Sequence, residues 1–296
     1  MTRLVIALPD NAELASGIVR ELGAEVGSVE LRRFPDGETY ARINSECGGR
    51  EVVLVAALHE PNRVLLPLVF LADAARVMGA ASIGLVAPYL AYMRQDARFQ
   101  PGEAVTSRSF ARLLSSTFDW LVTVDPHLHR YRSLAELYTV PTSVVHAAPL
   151  VAAWIHDNVT DAVLIGPDAE SEQWVADVAR RTHVPHVVLA KTRRGDREVE
   201  VALPDVERWR ERTPVLVDDI ISTGRTMIAT VGQLLRAGMR PPICVGIHAV
   251  FSGHAYEELV ASGTARVVTC NTIRHASNAI DVSSALASAA RDIAPR

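Results

Sequence analysis

Residues 214–226, PVLVDDIISTGRT, decide the architecture. Residues 215–217 are a short, wholly apolar run, the composition of a strand covered on both faces of a parallel sheet. Asp218 and Asp219 stand at its carboxyl end, where open α/β sheets hold their ligands. Successive strand residues face opposite sides, so the two acids cannot share one task. Ser222, Thr223, Gly224 and Thr226 add hydroxyls and the amides of a helix start, an arrangement that draws a phosphate dianion. Gly224 lets the backbone approach such a group closely. The helix is predicted over residues 226–239, with Ile228, Val231, Leu234 and Leu235 on one face and Gly238 as its stop.

The same grammar recurs along the chain. Strand-like apolar runs lie at residues 4–7, 52–56, 83–87, 121–124, 163–165, 187–189, 244–249 and 267–269. Helical stretches separate them, such as residues 67–78, which Gly79 stops. This alternation predicts an α/β protein with two doubly wound parallel-sheet domains. Pro141 and Pro149 bracket a stretch rich in small residues, which sets the expected domains at 1–145 and 146–296. The segment after Asn278 is placed to pack back onto the first half. No short repeat and no low-complexity linker is visible.

With 296 residues, 49% hydrophobic and 22% charged, the chain has a globular composition and length for two cores. A net charge of −4 gives no electrostatic reason for nucleic acid or an anionic membrane as partner, so any basic anion site is local. Cys47, Cys244 and Cys270 are odd in number and lack metal-ligand spacing, which points to reduced thiols. No basic n-region with a long apolar h-region opens the sequence, and no run approaches the roughly 18–20 apolar residues of a membrane span. A cytoplasmic location is expected.

The 214–226 string resembles the phosphoribosyl-pyrophosphate loop shared by type I phosphoribosyltransferases and ribose-phosphate diphosphokinases. The resemblance implies domains of the type I phosphoribosyltransferase kind. It implies that Asp218 holds the ribose hydroxyls, with Asp219 beside it, and that Ser222, Thr223, Gly224, Arg225 and Thr226 surround the 5-phosphate.

Five further segments, in order, resemble the diphosphokinases. Residues 32–43, RRFPDGETYARI, place a Pro-Asp-Gly turn between strand-like flanks. An aromatic ring and acceptors suit an adenine, and the resemblance implies Phe34, Asp36, Gly37 and Glu38 as contacts given from a neighbouring subunit. Residues 86–103, VAPYLAYMRQDARFQPGE, resemble the ATP-binding segment of the family, which implies Arg94, Gln95 and Asp96. The guanidinium of Arg94 offers a planar fork for a polyphosphate or the adenine edge. In residues 121–130, LVTVDPHLHR, His127 and His129 fall two apart, able to share a face on an extended segment. The resemblance gives His127 to a magnesium–triphosphate site and no role to His129. Residues 162–174, AVLIGPDAESEQW, end a strand in Pro167-Asp168 and imply Asp168 as a second magnesium ligand. Residues 191–200, KTRRGDREVE, resemble the flexible catalytic loop and imply Lys191 and Arg193 as the cations over the reacting phosphates.

The implied reaction uses ATP and ribose 5-phosphate with Mg2+ and gives phosphoribosyl pyrophosphate and AMP. The implied assembly is a homo-oligomer, a dimer-based tetramer or hexamer. Two other readings stay open: a catalytically weak paralogue that regulates a partner enzyme, and a phosphoribosyltransferase. The sequence departs from the family at two places. Glu170, Ser171 and Glu172 replace small residues and a Gly-Gly pair. Arg225 replaces Gly or Cys and either faces solvent or adds a cation beside the phosphate.

Overall fold

Nearly all-apolar runs build the centre of each sheet. The computed structural model describes residues 2–293 except 168–170, 195–197 and 203–205, and of 173, 190–194, 198–202 and 206–207 the backbone alone. The chain divides into two compact units, residues 1–145 with 282–296, and residues 146–281.

In the first unit the strands are β1 (Arg3–Ala7), β2 (Glu25–Val26), β3 (Val29–Arg33), β4 (Thr39–Ile43), β5 (Glu51–Val55), β6 (Ser82–Ala87), β7 (Trp120–Val124) and β8 (Thr142–Val145). Its helices are α1 (Ala12–Leu22), α2 (Pro61–Val77) and α3 (Thr106–Thr117). The second unit holds α4 (Ala148–Asn158), β9 (Ala162–Gly166), α5 (Glu172–Thr182), β10 (His186–Val188), β11 (Ala190–Arg194), β12 (Glu198–Ala202), β13 (Thr213–Ile221), α6 (Arg225–Arg236), β14 (Ile243–Ala249), α7 (Ala255–Ala261), β15 (Arg266–Cys270) and β16 (Asn278–Ile280). The last helix is α8 (Ser283–Ile293).

Among the described residues the first unit forms a six-stranded parallel sheet in the order β2-β1-β5-β6-β7-β8, and the second one in the order β10-β9-β13-β14-β15-β16. Adding eight to each label of the first order gives the second. The antiparallel hairpins β3–β4 and β11–β12 occupy the same slot in the two units. The helices repeat too, α1 to α4 against α5 to α8. The chain is therefore a structural duplication, a repeat that its sequence does not display.

The closing helices modify the expected boundary. α8 follows β16 but packs on α1, β7 and β8, so residues 282–296 belong to the first unit and not to the second. In the same way α4 follows β8 but packs on α5 and β16. Gly17 allows the α1–α8 contact, since a Cβ there would lie 2.5 Å from Ser283 Oγ.

Two expected elements change extent. The helix expected at 67–78 begins at Pro61, whose fixed φ suits the first helical position, and it passes through Pro67. The stretch read as a domain boundary contains β8, a half-buried edge strand without a wholly apolar run. No helix among the described residues is long and apolar enough to cross a membrane.

Close packing is tightest at Gly84 on β6. A Cβ there would fall 1.9 Å from the ring of Trp120, which is fully buried on β7. Gly84→Ala is therefore expected to lower unfolding stability by about 3 kcal/mol through overpacking. Urea denaturation checks this, and a change below about 0.5 kcal/mol, the usual limit for surface changes, would contradict it.

Candidate active site

β13 is longer than its apolar core. It pairs with β14 as far as Ile221, but with β9 only as far as Leu216. Among the described residues no strand pairs its β9 side from Val217 onward, and Asp218 and Asp219 lie in this overhang, within the strand and not beyond it. The order of strands reverses here, since the chain runs from β9 outward to β10 and returns to β13 on the other side. Such a reversal opens the crevice in which doubly wound sheets bind ligands. Asp218 is half-buried and Asp219 is 8% exposed, in keeping with opposite faces. The amide of Asp219 donates to Asp218 Oδ1 at 3.0 Å.

Past the strand, Gly224 is the N-cap of α6 at φ 66°, ψ −4°, and no side chain caps the helix. The first-turn amides of a helix lack intrahelical partners. With no acidic residue in this first turn, the positive helix pole is left to a ligand anion. Ser222 and Thr226 are half-buried, while Thr223 and Arg225 are exposed. A second loop supports the first: the Ser252 amide donates to the Ser222 carbonyl at 3.1 Å. Behind it Phe251, Tyr256 and His275 form a ring cluster with centroids 4.6–5.3 Å apart. Burial holds the His275 imidazole below its ordinary pKa, against the opposing pull of Glu257. The cluster had no motif in the sequence; apolar residues around a Ser-Gly turn were its only sign.

The duplicate position in the first unit shows what this loop has that its twin lacks. There Glu60 is the N-cap of α2, also left-handed at φ 49°. Its carboxylate pairs with Arg63 at 3.0 Å, and Ala56 and Ala57 follow β5 where the second unit carries acids. A negative side chain at the helix pole opposes a phosphate. Of these two helix starts, only that of the second unit is free of an acidic N-cap.

The other predicted residues are placed as follows. Phe34, Asp36, Gly37 and Glu38 form the exposed tip of the β3–β4 hairpin. It is closed by Phe34 N–H to the Glu38 carbonyl at 2.8 Å and Glu38 N–H to Asp36 Oδ1 at 3.2 Å. Arg32 stacks on Phe34 and Tyr40 at 4.8 and 4.1 Å. Arg94, Gln95 and Asp96 lie on the loop after β6, respectively exposed, half-buried and buried. His127 follows β7, its ring 5.2 Å from that of His129. Among the described residues no three His, Cys, Asp or Glu side chains gather to hold a metal. Asp168, one residue beyond Pro167 at the end of β9, lies outside the described residues. Lys191 and Arg193 were read as loop residues. Their backbone is a strand of the β11–β12 hairpin, facing Val201 and Val199, and their side chains lie outside the described residues.

Residues 4–117 match the model of the N-terminal domain of ribose phosphate pyrophosphokinase, and residues 133–285 match the phosphoribosyl transferase domain. A ribose-phosphate pyrophosphokinase of Methanopyrus kandleri is 33% identical over 292 residues, covering 98% of this chain and 99% of that one. The chain belongs to the ribose-phosphate pyrophosphokinase family. A ribose-phosphate pyrophosphokinase of Sulfolobus acidocaldarius is 32% identical over 269 residues, covering 90% of this chain and 91% of its own. A crystal structure of phosphoribosylpyrophosphate synthetase from Mycobacterium smegmatis superposes with a TM-score of 0.86 at 25% identity, over 99% of both chains.

Within this pyrophosphokinase framework part of the 170–172 departure has a packing account. Ser171 is 1% exposed, and its Oγ lies 2.7 Å from where a Gly166 Cβ would stand, so it fills space behind β9. Glu172 opens α5, where a negative charge suits the helix pole. Glu170 lies outside the described residues.

Proposed function

We infer that the chain is a ribose-phosphate pyrophosphokinase that transfers the diphosphoryl group of ATP to O1 of ribose 5-phosphate. The observation that carries the reading is the hydroxyl- and amide-lined start of α6, set beyond the paired acids of β13 at the sheet's switch point. In the reaction O1 attacks Pβ, the bond from Pβ to the bridging oxygen of AMP breaks, and AMP leaves with that oxygen. The O1 proton goes to solvent or phosphate; no side chain is assigned as its base. Such transfers depend on positioning and charge stabilisation.

Asp218 accepts hydrogen bonds from the ribose hydroxyls, with Asp219 orienting a neighbouring amide or water. The amides and hydroxyls of Ser222, Thr223, Gly224 and Thr226 take the 5-phosphate. Arg94, Gln95 and Asp96 serve the nucleotide, and Phe34, Asp36, Gly37 and Glu38 serve adenine in a neighbouring copy of a homo-oligomer. Lys191 and Arg193 stabilise charge on the transferring group. Magnesium binds through one or two protein ligands together with substrate phosphates and water. As the resemblance implies, the imidazole of His127 and the carboxylate of Asp168 would be its protein ligands. When bound, the ion neutralises triphosphate charge. The location that suits these substrates is the cytoplasm.

Arg225 is exposed and makes no ion pair with another described residue. Arg225→Gly is expected to leave the preference among phosphorylated pentoses unaltered, measured as relative kcat/KM. A switch of preferred pentose would make Arg225 part of the sugar site. The activity itself is tested by AMP release with each substrate omitted in turn. Release that needs both supports the reading; AMP without ribose 5-phosphate, or consumption of phosphoribosyl pyrophosphate with a free base, replaces it.

A further inference from the structure

The loops after β6 and β7, which leave neighbouring strands of the first unit, are joined by a polar network. Tyr131 Oη donates to the Asp96 carbonyl at 3.3 Å and accepts from Arg108 Nε at 3.2 Å. Arg130 Nε donates to Asp96 Oδ1 at 3.2 Å. The Ser107 amide at the start of α3 donates to the Gln95 carbonyl at 3.3 Å. Two consecutive residues thus grip Asp96 by both its side chain and its backbone, and α3 holds the residue before it.

The state of Asp96 shows how firmly it is held. Its side chain is 5% exposed, and Oδ2 is buried with no hydrogen-bond partner among the described residues. A carboxylate so desolvated, with a single cationic partner, costs stability. Tyr131 is not part of the unit's hydrophobic core. Arg108, Arg130, Tyr131 and Asp96 also line one wall of a cavity of about 620 Å³.

We propose that Tyr131 is a positioning residue for the nucleotide, fixing Arg94 and Gln95 relative to His127 through its relay from Arg108 to Asp96. Arg94 and Gln95 directly precede the gripped residue, and His127 lies four residues before Tyr131, so the network sets the spacing of both loops. The proposal rests on the reading that these three residues serve ATP. It assigns Asp96 an anchoring task through Oδ1 and its backbone carbonyl.

The test is steady-state kinetics of Tyr131→Phe, which removes one hydroxyl and keeps the ring. The expected result is a rise in KM for ATP of about fivefold, as one hydrogen bond allows. The KM for ribose 5-phosphate, the kcat and the melting temperature should stay close to wild type. Arg130→Ala should raise the KM for ATP further, and Arg130→Lys should recover part of the loss. An unchanged KM for ATP in Tyr131→Phe, or an equal rise for both substrates, would overturn the proposal. Wild type measured alongside separates the two levels. If it forms no AMP, the enzymatic reading fails and the proposal falls with it; if it is active and Tyr131→Phe is unaltered, only the positioning role fails.

Discussion

Replacing Gly224 with valine is expected to raise the KM for ribose 5-phosphate by about a hundredfold, equivalent to roughly 2.7 kcal/mol, while the protein still folds. Gly224 sits at φ 66°, in the left-handed region. An L residue there costs about 1–2 kcal/mol, and a β-branched one is the least tolerant. A Cβ there would be in ordinary van der Waals contact, the nearest atom being the Ala255 carbonyl oxygen at 3.6 Å. The strain of the variant is set first by its backbone, and the loop is expected to relieve it by rotating the amides at the start of α6. Those amides are the proposed phosphate donors. Gly224→Ala should behave alike with a smaller effect, about tenfold at the lower end of the same strain. Initial rates across ribose 5-phosphate concentrations check both, with the KM for ATP as internal control. A wild-type KM for the sugar in Gly224→Val would remove the phosphate from this loop.

The second large effect concerns the β11–β12 hairpin. Lys191→Ala is expected to lower kcat by about 100-fold or more, with little change in the KM for ATP. Negative charge shifts among the phosphate oxygens as the Pβ–O bond to AMP breaks, and a fixed cation there acts mainly on the transition state. Removing one such donor costs about 2.7–4 kcal/mol. Loss in kcat without loss in KM is the signature of an interaction made in the transition state. A near-wild-type rate would take Lys191 out of the mechanism.

The centre of each sheet was legible because parallel strands buried on both faces are nearly continuous apolar runs, as at β5, β6, β7 and β14. The edges were not. β2 has two exposed residues, and β8 and β16 mix polar with apolar side chains, so neither alternation nor a long run marks them. The duplication escaped for a related reason. The two units share geometry at α2 and α6, where Glu60 and Gly224 adopt the same left-handed cap, while the residues around them have diverged. The proposed phosphate loop can be read as a unit because its acids, hydroxyls and glycine lie within one continuous string. The Tyr131–Asp96 contact was not, because it joins residues 35 apart that only the sheet brings together. The roles of Lys191 and Arg193 come from the resemblance; their segment is a hairpin strand rather than a loop, and charge runs look alike in both.

The central claim is diphosphoryl transfer to O1 of a sugar held by the second unit. Ribose 5-phosphate labelled with 18O at C1, incubated with ATP and magnesium, allows the new bond to be followed by phosphorus NMR. The account predicts phosphoribosyl pyrophosphate and AMP in equal amounts, with the label between C1 and the phosphorus that was Pβ of ATP. Formation of ADP with a ribose bisphosphate, or of AMP with unlabelled pyrophosphate, would contradict it.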